Sequence, residues 1–160
     1  MTDRPRTPSQ QRQFTITRVL EAPRELVFRA WTEPARMAAW FGPRGCTTPL
    51  STIATDVRPG GTWRATMIRD DNGAEYPTGG FYIEVSEPER LVFTWREPGS
   101  GEESVVTVEL ADLGGRTEMT FHQAGFSSGE TRSGVHEGWA SSFERLADLF
   151  PPETTPRSTP

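Results

Sequence analysis

The sequence predicts an α+β domain in which an antiparallel sheet packs on one long C-terminal helix. Three patterns carry that reading. Between Gly129 and Phe150, the residues Val135, Trp139, Phe143, Leu146 and Phe150 form an apolar stripe at the helical period, while Glu137, Glu144 and Asp148 fall away from it. Most of the preceding chain alternates apolar and polar residues with the period of a half-buried strand. Turn residues punctuate those alternating segments, and the helical stripe needs a sheet to lie against.

Residues 1 to 12 hold Pro5, Pro8 and arginines without a periodic apolar pattern, and are expected to be a flexible leader. Phe14 to Leu20 alternates as a first strand, which Ala22 and Pro23 break. Pro23 suits the start of a short helix, with Glu25 at the favourable end of its dipole. Leu26, Val27 and Ala30 give that helix a buried side, with Phe28 and Trp31 at the margins. Thr32 reads as the N-cap of a second short helix, with Pro34 in its first turn and Met37, Trp40 and Phe41 spaced to share a face. Gly42-Pro43-Arg44-Gly45 then turns the chain.

A strand is expected within Thr47 to Val57, and Pro59-Gly60-Gly61 turns after it. Trp63, Ala65 and Met67 alternate next, up to the hairpin signal Asp70-Asp71-Asn72-Gly73. Further alternation follows in Phe81-Ile83-Val85, Leu91-Phe93-Trp95, Val106-Val108-Leu110 and Met119-Phe121, giving about six strands after the two short helices. Pro151 and Pro152 stop the long helix, so the domain is expected to span residues 13 to 150 and residues 151 to 160 to form a flexible tail.

At 160 residues one domain with a real core is the default. Seventeen basic against 22 acidic residues give a net charge of -5 without a basic run, which speaks against nucleic acid or an anionic membrane as principal partner. Cys46 is the lone cysteine, and no segment has the pattern of a signal peptide or a membrane span, so a cytoplasmic location is the default expectation.

One further pattern is the order of Ala22-Pro23, Val27-Phe28, Thr32-Glu33-Pro34, Trp40-Phe41-Gly42-Pro43, Pro59-Gly60-Gly61, Gly80-Phe81-Tyr82, the run Pro88 to Trp95, and Gly138-Trp139. In this order the chain resembles the START-like (SRPBCC) superfamily, in the branch of homologues of the activator of the ninety-kilodalton heat-shock protein's ATPase. The resemblance spans about Phe14 to Phe150. It implies a helix-grip fold, a curved antiparallel sheet wrapped around the long C-terminal helix and enclosing a cavity. The superfamily holds lipid carriers, hormone receptors, aromatases and cyclases, and cochaperone domains, so chemistry has to be read from the site.

The residues expected to shape a pocket are Trp40, Trp63, Met67, Phe81, Phe93, Trp95, Phe121, Trp139 and Phe143, because aromatic walls bury a large apolar ligand and orient flat ones. The competing account is a filled core, since a domain of this size must bury several large side chains anyway. His122 follows Phe121 on a strand, so the two face opposite ways; if His122 faces inward it is the leading polar group of the pocket. Arg64 and Glu84 alternate against Trp63 and Ile83, which places them first on the solvated face. Two histidines and one cysteine without ligand spacing give no metal site, and no cofactor is expected. Gly60-Gly61 and Gly79-Gly80 read as turns or close backbone approaches rather than phosphate loops.

Three functions compete. Binding a small hydrophobic molecule, lipid-like or aromatic, ranks first because it demands least of the residues. An enzyme of the cyclase, aromatase or hydratase kind would use His122 or an inward carboxylate, although no paired acid and base is visible and the catalytic residues stay unassigned. A module that stimulates a chaperone ATPase is what the family label suggests. Homodimer and monomer both stay open, a dimer pairing through a sheet edge or the short helices around Trp31 and Trp40.

Overall fold

The computed structural model of the chain describes residues 12–126 and 128–151; the expected leader through residue 11 and tail from residue 152 lie outside the described residues. Strand β1 (Gln13–Leu20) leads into helices α1 (Arg24–Thr32) and α2 (Pro34–Met37) and the two-residue strands β2 (Cys46–Thr47) and β3 (Ala54–Thr55). Five longer strands follow, β4 (Thr62–Arg69), β5 (Glu75–Ser86), β6 (Arg90–Arg96), β7 (Glu103–Asp112) and β8 (Thr117–Ala124), and then helix α3 (Gly129–Asp148). The strands form one antiparallel sheet in the order β1-β8-β7-β6-β5-β4-β2, with β3 also on β4. This curved open sheet with the long helix on its concave side is the expected α+β helix-grip arrangement.

Burial follows the alternation of the sequence on most strands. Trp63, Ala65 and Met67 of β4, Ser104, Val106, Val108 and Leu110 of β7, and Thr117, Met119, Phe121 and Gln123 of β8 all point inward. Strand β5 departs from the simple pattern. Its register shifts between Tyr82 and Glu84, and the inward aromatic is Tyr82, while Phe81, expected at the cavity, is 42% exposed on the other face.

Gly80 explains the local geometry. It pairs directly with Trp63, and a Cβ built on it would lie 2.1 Å from the Thr94 carbonyl oxygen, a backbone atom with no room to yield. With that space free, the Trp63 indole crosses to β6 and donates to the same carbonyl at 3.0 Å. The Thr94 hydroxyl accepts from the Phe81 N–H at 2.9 Å.

The helices differ from their sequence reading in two places. Trp31, expected at a margin of α1, is 3% exposed and lies at the centre of the core. Thr32 ends α1, its hydroxyl donating to the Phe28 carbonyl, and Glu33 rather than Thr32 precedes α2. The segment expected as one strand is two short strands separated by a 3-10 turn at Leu50–Thr52. Helix α3 starts where its capping chemistry dictates: the Ser128 hydroxyl accepts from the Thr131 N–H at 3.1 Å. Its predicted stripe buries Trp139, Phe143 and Leu146, with Val135 and Phe150 partly covered.

Gly80→Ala is expected to destabilise the domain by roughly 3 kcal/mol, the upper end for overpacking, because the obstructing atom is backbone. Urea unfolding monitored by tryptophan fluorescence measures this, and an unchanged midpoint would contradict the close approach.

Candidate functional site

The aromatic side chains beneath α3 separate into a filled interior and an open cleft. Trp40, Trp63, Phe93, Phe121 and Phe143 are all buried in the interior. Trp31 enters from α1 and wedges among them, its ring centroid 4.8 Å from that of Trp40 and 6.0 Å from those of Phe93, Phe121 and Phe143. The void left between Trp31, Met37, Phe41, Trp63, Tyr82 and Phe93 is about 10 Å³, room for one water at most. The centre of the grip, expected to be an enclosed pocket, is therefore packed.

Free volume lies instead beside the N-terminal half of α3, in a cleft of about 500 Å³ that opens to solvent. One wall is the loop after α2, with Phe41, Gly42 and Pro43. Met67 and Tyr76 come from β4 and β5, and Trp95, Glu97 and Pro98 from the end of β6 and its turn. Helix α3 supplies Thr131, Gly134, Val135, Gly138, Trp139 and Ser142. Of the ten residues expected at a pocket, Met67, Trp95 and Trp139 line this cleft. Trp40, Trp63, Phe93, Phe121 and Phe143 stand in the core behind it, and Phe81 faces outward. His122 is also on the outer face, because strand alternation turns Phe121 inward; its Nε2 lies 2.8 Å from the Gln13 amide oxygen. On the cleft wall beside Trp95 the ionisable group is Glu97.

Two signals in the sequence point to lining residues that the aromatic pattern leaves out. Glu97 continues the Phe93-Trp95 alternation by one more step. Thr131, Val135, Gly138 and Ser142 recur at spacings of four, three and four, a second helical stripe beside that of Trp139. Phe41 and Pro43 are placed by long-range bonds that local pattern does not encode. The Ser142 hydroxyl donates to the Trp40 carbonyl at 3.0 Å and accepts from the Gly42 N–H at 3.1 Å. Arg145 donates to the carbonyls of Gly42 at 2.8 Å and Cys46 at 3.1 Å, and the Ser141 hydroxyl accepts from the Arg44 N–H.

Gly134 and Gly138 sit inside α3, where glycine costs about 1 kcal/mol relative to alanine. Close packing does not require them: a Cβ built on either meets no atom within 4 Å. Their effect is to leave the helix side of the cleft bare.

The charge of the cleft is one-sided. Among the described residues Glu97, Glu102 and Glu130 line it, and no arginine or histidine does. The Glu97 carboxylate accepts from Trp95 Nε1 at 3.1 Å. Burial pushes its pKa up, the Trp95 hydrogen bond opposes that rise, and the charge of Glu102 adds to it. Trp139 has an indole N–H without an acceptor among the described residues. Cys46, half-buried on β2, has its thiol pKa raised by burial, which works against a nucleophilic role. Among the described residues no group of three or more His, Cys, Asp or Glu side chains is arranged to hold a metal ion, and no helix is long and apolar enough to cross a membrane.

A carboxyl whose folded pKa lies above its unfolded value costs stability once both states ionise, and the cost vanishes as pH falls below the unfolded value. Glu97→Gln keeps an acceptor for Trp95 and removes the charge. The variant is expected to melt above the wild type at neutral pH, with the difference shrinking as the solution is acidified through the carboxyl range. Thermal melts across that range check it; a wild type more stable than the variant at neutral pH would contradict the assignment.

The fold has close counterparts. The family model described as Activator of Hsp90 ATPase homolog 1-like protein matches residues 21–151. The crystal structure of protein CV1439 from Chromobacterium violaceum is 28% identical, with a TM-score of 0.80, covering 89% of this chain and 99% of that one. Protein NE0264 from Nitrosomonas europaea is also 28% identical, with a TM-score of 0.72 over 87% of this chain and 94% of the other. The AHSA1 protein from Silicibacter pomeroyi shares the fold at 24% identity, with a TM-score of 0.77 over 86% of this chain and 96% of its own. No curated protein matches the chain significantly. Matched along most of its length by that family model, and superposing on AHSA1-type folds over nearly the whole domain, the chain belongs to the Activator of Hsp90 ATPase homolog 1-like family, the START-like branch that its motifs resemble.

Proposed function

We propose that the protein binds a small, predominantly apolar molecule in the cleft between the N-terminal half of α3 and strands β4 to β6. The observation that carries this reading is the pair of helix glycines, Gly134 and Gly138, that lack close neighbours yet face about 500 Å³ of free volume. A core without a ligand role gains from filling such a space, and alanine at either position would gain helix stability. The volume suits a small organic ligand, and Phe41, Met67, Trp95, Val135 and Trp139 give it apolar walls. Catalysis would require a second group positioned with Glu97, the carboxyl seated against the apolar wall, so binding is the function the geometry supports best.

Titration with Nile red, a neutral dye whose emission reports an apolar environment, tests the reading. Saturable binding is expected for the wild type. Gly138→Leu places a side chain in the free volume; it should weaken binding at least about tenfold while raising helix stability by roughly 1 kcal/mol. A stable Gly138→Leu protein that binds the dye as the wild type does would place the ligand elsewhere.

A further inference from the structure

We propose that the cleft selects apolar cations, an alkyl or aryl amine or a quaternary ammonium compound, with Glu97 as the anchor of the positive group. The inference rests on the binding reading of the same cleft and adds the charge of its ligand. An apolar cleft alone would accept a fatty acid, an alcohol or an amine alike, so the discrimination has to come from its few polar groups.

The charged groups among them favour a cation. Glu97 stands on the wall beside Trp95, which donates to Oε1. Among the described residues nothing donates to its other oxygen, Oε2. The like charge of Glu102 is the neighbouring charge that acts on it. Glu130, in the first turn of α3, adds negative potential on the helix side. The arginines near the lining residues in the chain make other contacts: Arg44 with Glu144 and Asp148, Arg145 with the loop carbonyls of Gly42, Pro43 and Cys46, Arg69 with Asp71, and Arg132, next to Thr131, with the Gln13 carbonyl. Arg96, beside Glu97, lies on the opposite face of β6 and is exposed.

Burial has driven the Glu97 carboxyl toward its neutral form, and a cation brought in with the ligand would reverse that drift, as an opposite charge does for any half-buried carboxylate. The aromatic wall adds to the same preference. Tyr76, Trp95 and Trp139 line the cleft, and an ammonium group over an aromatic face is attracted by the ring quadrupole. A carboxylate next to indole and phenol rings is complementary to an organic cation in a way that neither part is alone. An anionic amphiphile meets the like charge of Glu97, and none of the described lining residues is an arginine.

Three ten-carbon amphiphiles that differ only in the head group separate the cases: decyltrimethylammonium, decanol and decanoate. Each is titrated below its aggregation concentration into the full chain at low salt and mildly alkaline pH, with intrinsic tryptophan fluorescence as the readout. Decyltrimethylammonium is expected to bind roughly tenfold more tightly than decanol, and decanoate more weakly than both. Glu97→Gln should narrow the ratio of cation to alcohol affinity several-fold, and added salt should narrow it in the wild type. If decanol binds and the cation gains nothing over it, or if decanoate binds as well as the cation, the charge inference is overturned while ligand binding stands. If none of the three binds, the cleft is not a ligand site and both readings fall. Because the wild-type comparison decides by itself, a poorly folded Glu97→Gln protein leaves the result intact.

Discussion

The packing of Trp139 is the constraint on which the rest of this structure depends. Its ring meets Trp31 of α1, Phe41 of the following loop, Trp95 of β6, Phe121 of β8 and Phe143 of its own helix, at centroid distances from 4.7 to 5.7 Å. Each such pair adds about 0.5–1.5 kcal/mol beyond the burial of area. More important is their geometry, because side chains from every layer of the fold meet at one ring. The long helix can therefore sit at one depth and one rotation over the sheet. A slide along the sheet would break contacts with α1, β6 and β8 at once.

That fixed seat determines which part of the concave face is filled. The C-terminal half of α3 carries Phe143 and Leu146, Phe143 meets Trp31 and Trp40, and the void between Trp31 and the sheet is only about 10 Å³. Toward the N-terminus the same helix carries glycine where it could carry bulk. The loop after α2 would be free to collapse into that space. Ser142 and Arg145 prevent it by binding the Trp40 carbonyl, the Gly42 N–H and the carbonyls of Gly42 and Cys46. Packing at one end and backbone capture at the other leave a cleft with rigid walls, which is what a binding site needs if little affinity is to be spent on ordering it.

Legibility in the sequence followed the range of the interactions. The long helix, the two short ones and the strands from β4 to β8 were readable because period and turn chemistry are local, and Trp139 stood out on the helical stripe. Residue positions within the core were harder to read. Trp31 and Phe28 look marginal on a helix wheel drawn for α1 alone; they are central because the helix presses onto the sheet, a tertiary fact. Phe81 alternates as an inward residue should, but the irregular pairing of β5 around Gly80 and Tyr82 turns it out. The expected dimer surface near Trp31 and Trp40 offers no exposed indole, since both rings are inside. Large aromatics advertised a pocket, yet most of them serve to fill the interior. The cleft is marked by the opposite signal, small residues at Gly134 and Gly138. That signal is weak in a sequence, because glycine inside a helix can equally mark a kink or the close approach of a neighbouring backbone.

The polar side of the cleft follows from the same competition between filling and leaving space. A carboxyl half-withdrawn from water is costly to the fold, and the chain does little to relieve it: one indole N–H donates to Glu97, and the closest acting charge is another carboxylate. A packing role would be met as well by glutamine or a hydrophobic residue without the electrostatic penalty. Trp139 shows a parallel imbalance, a buried indole whose N–H lacks an acceptor among the described residues while its ring is fully used. The interior proper satisfies its indoles, Trp40 donating to the Ala30 carbonyl and Trp63 to that of Thr94. Of the two buried side-chain atoms without a partner among the described residues, Trp139 Nε1 belongs to a residue of the cleft wall and Gln123 Oε1 lies on β8 away from it, while Trp40 and Trp63 behind the wall keep their hydrogen bonds. The half-buried Glu97 carboxylate, at the edge of the free volume, is the polar feature that the proposed ligand would meet.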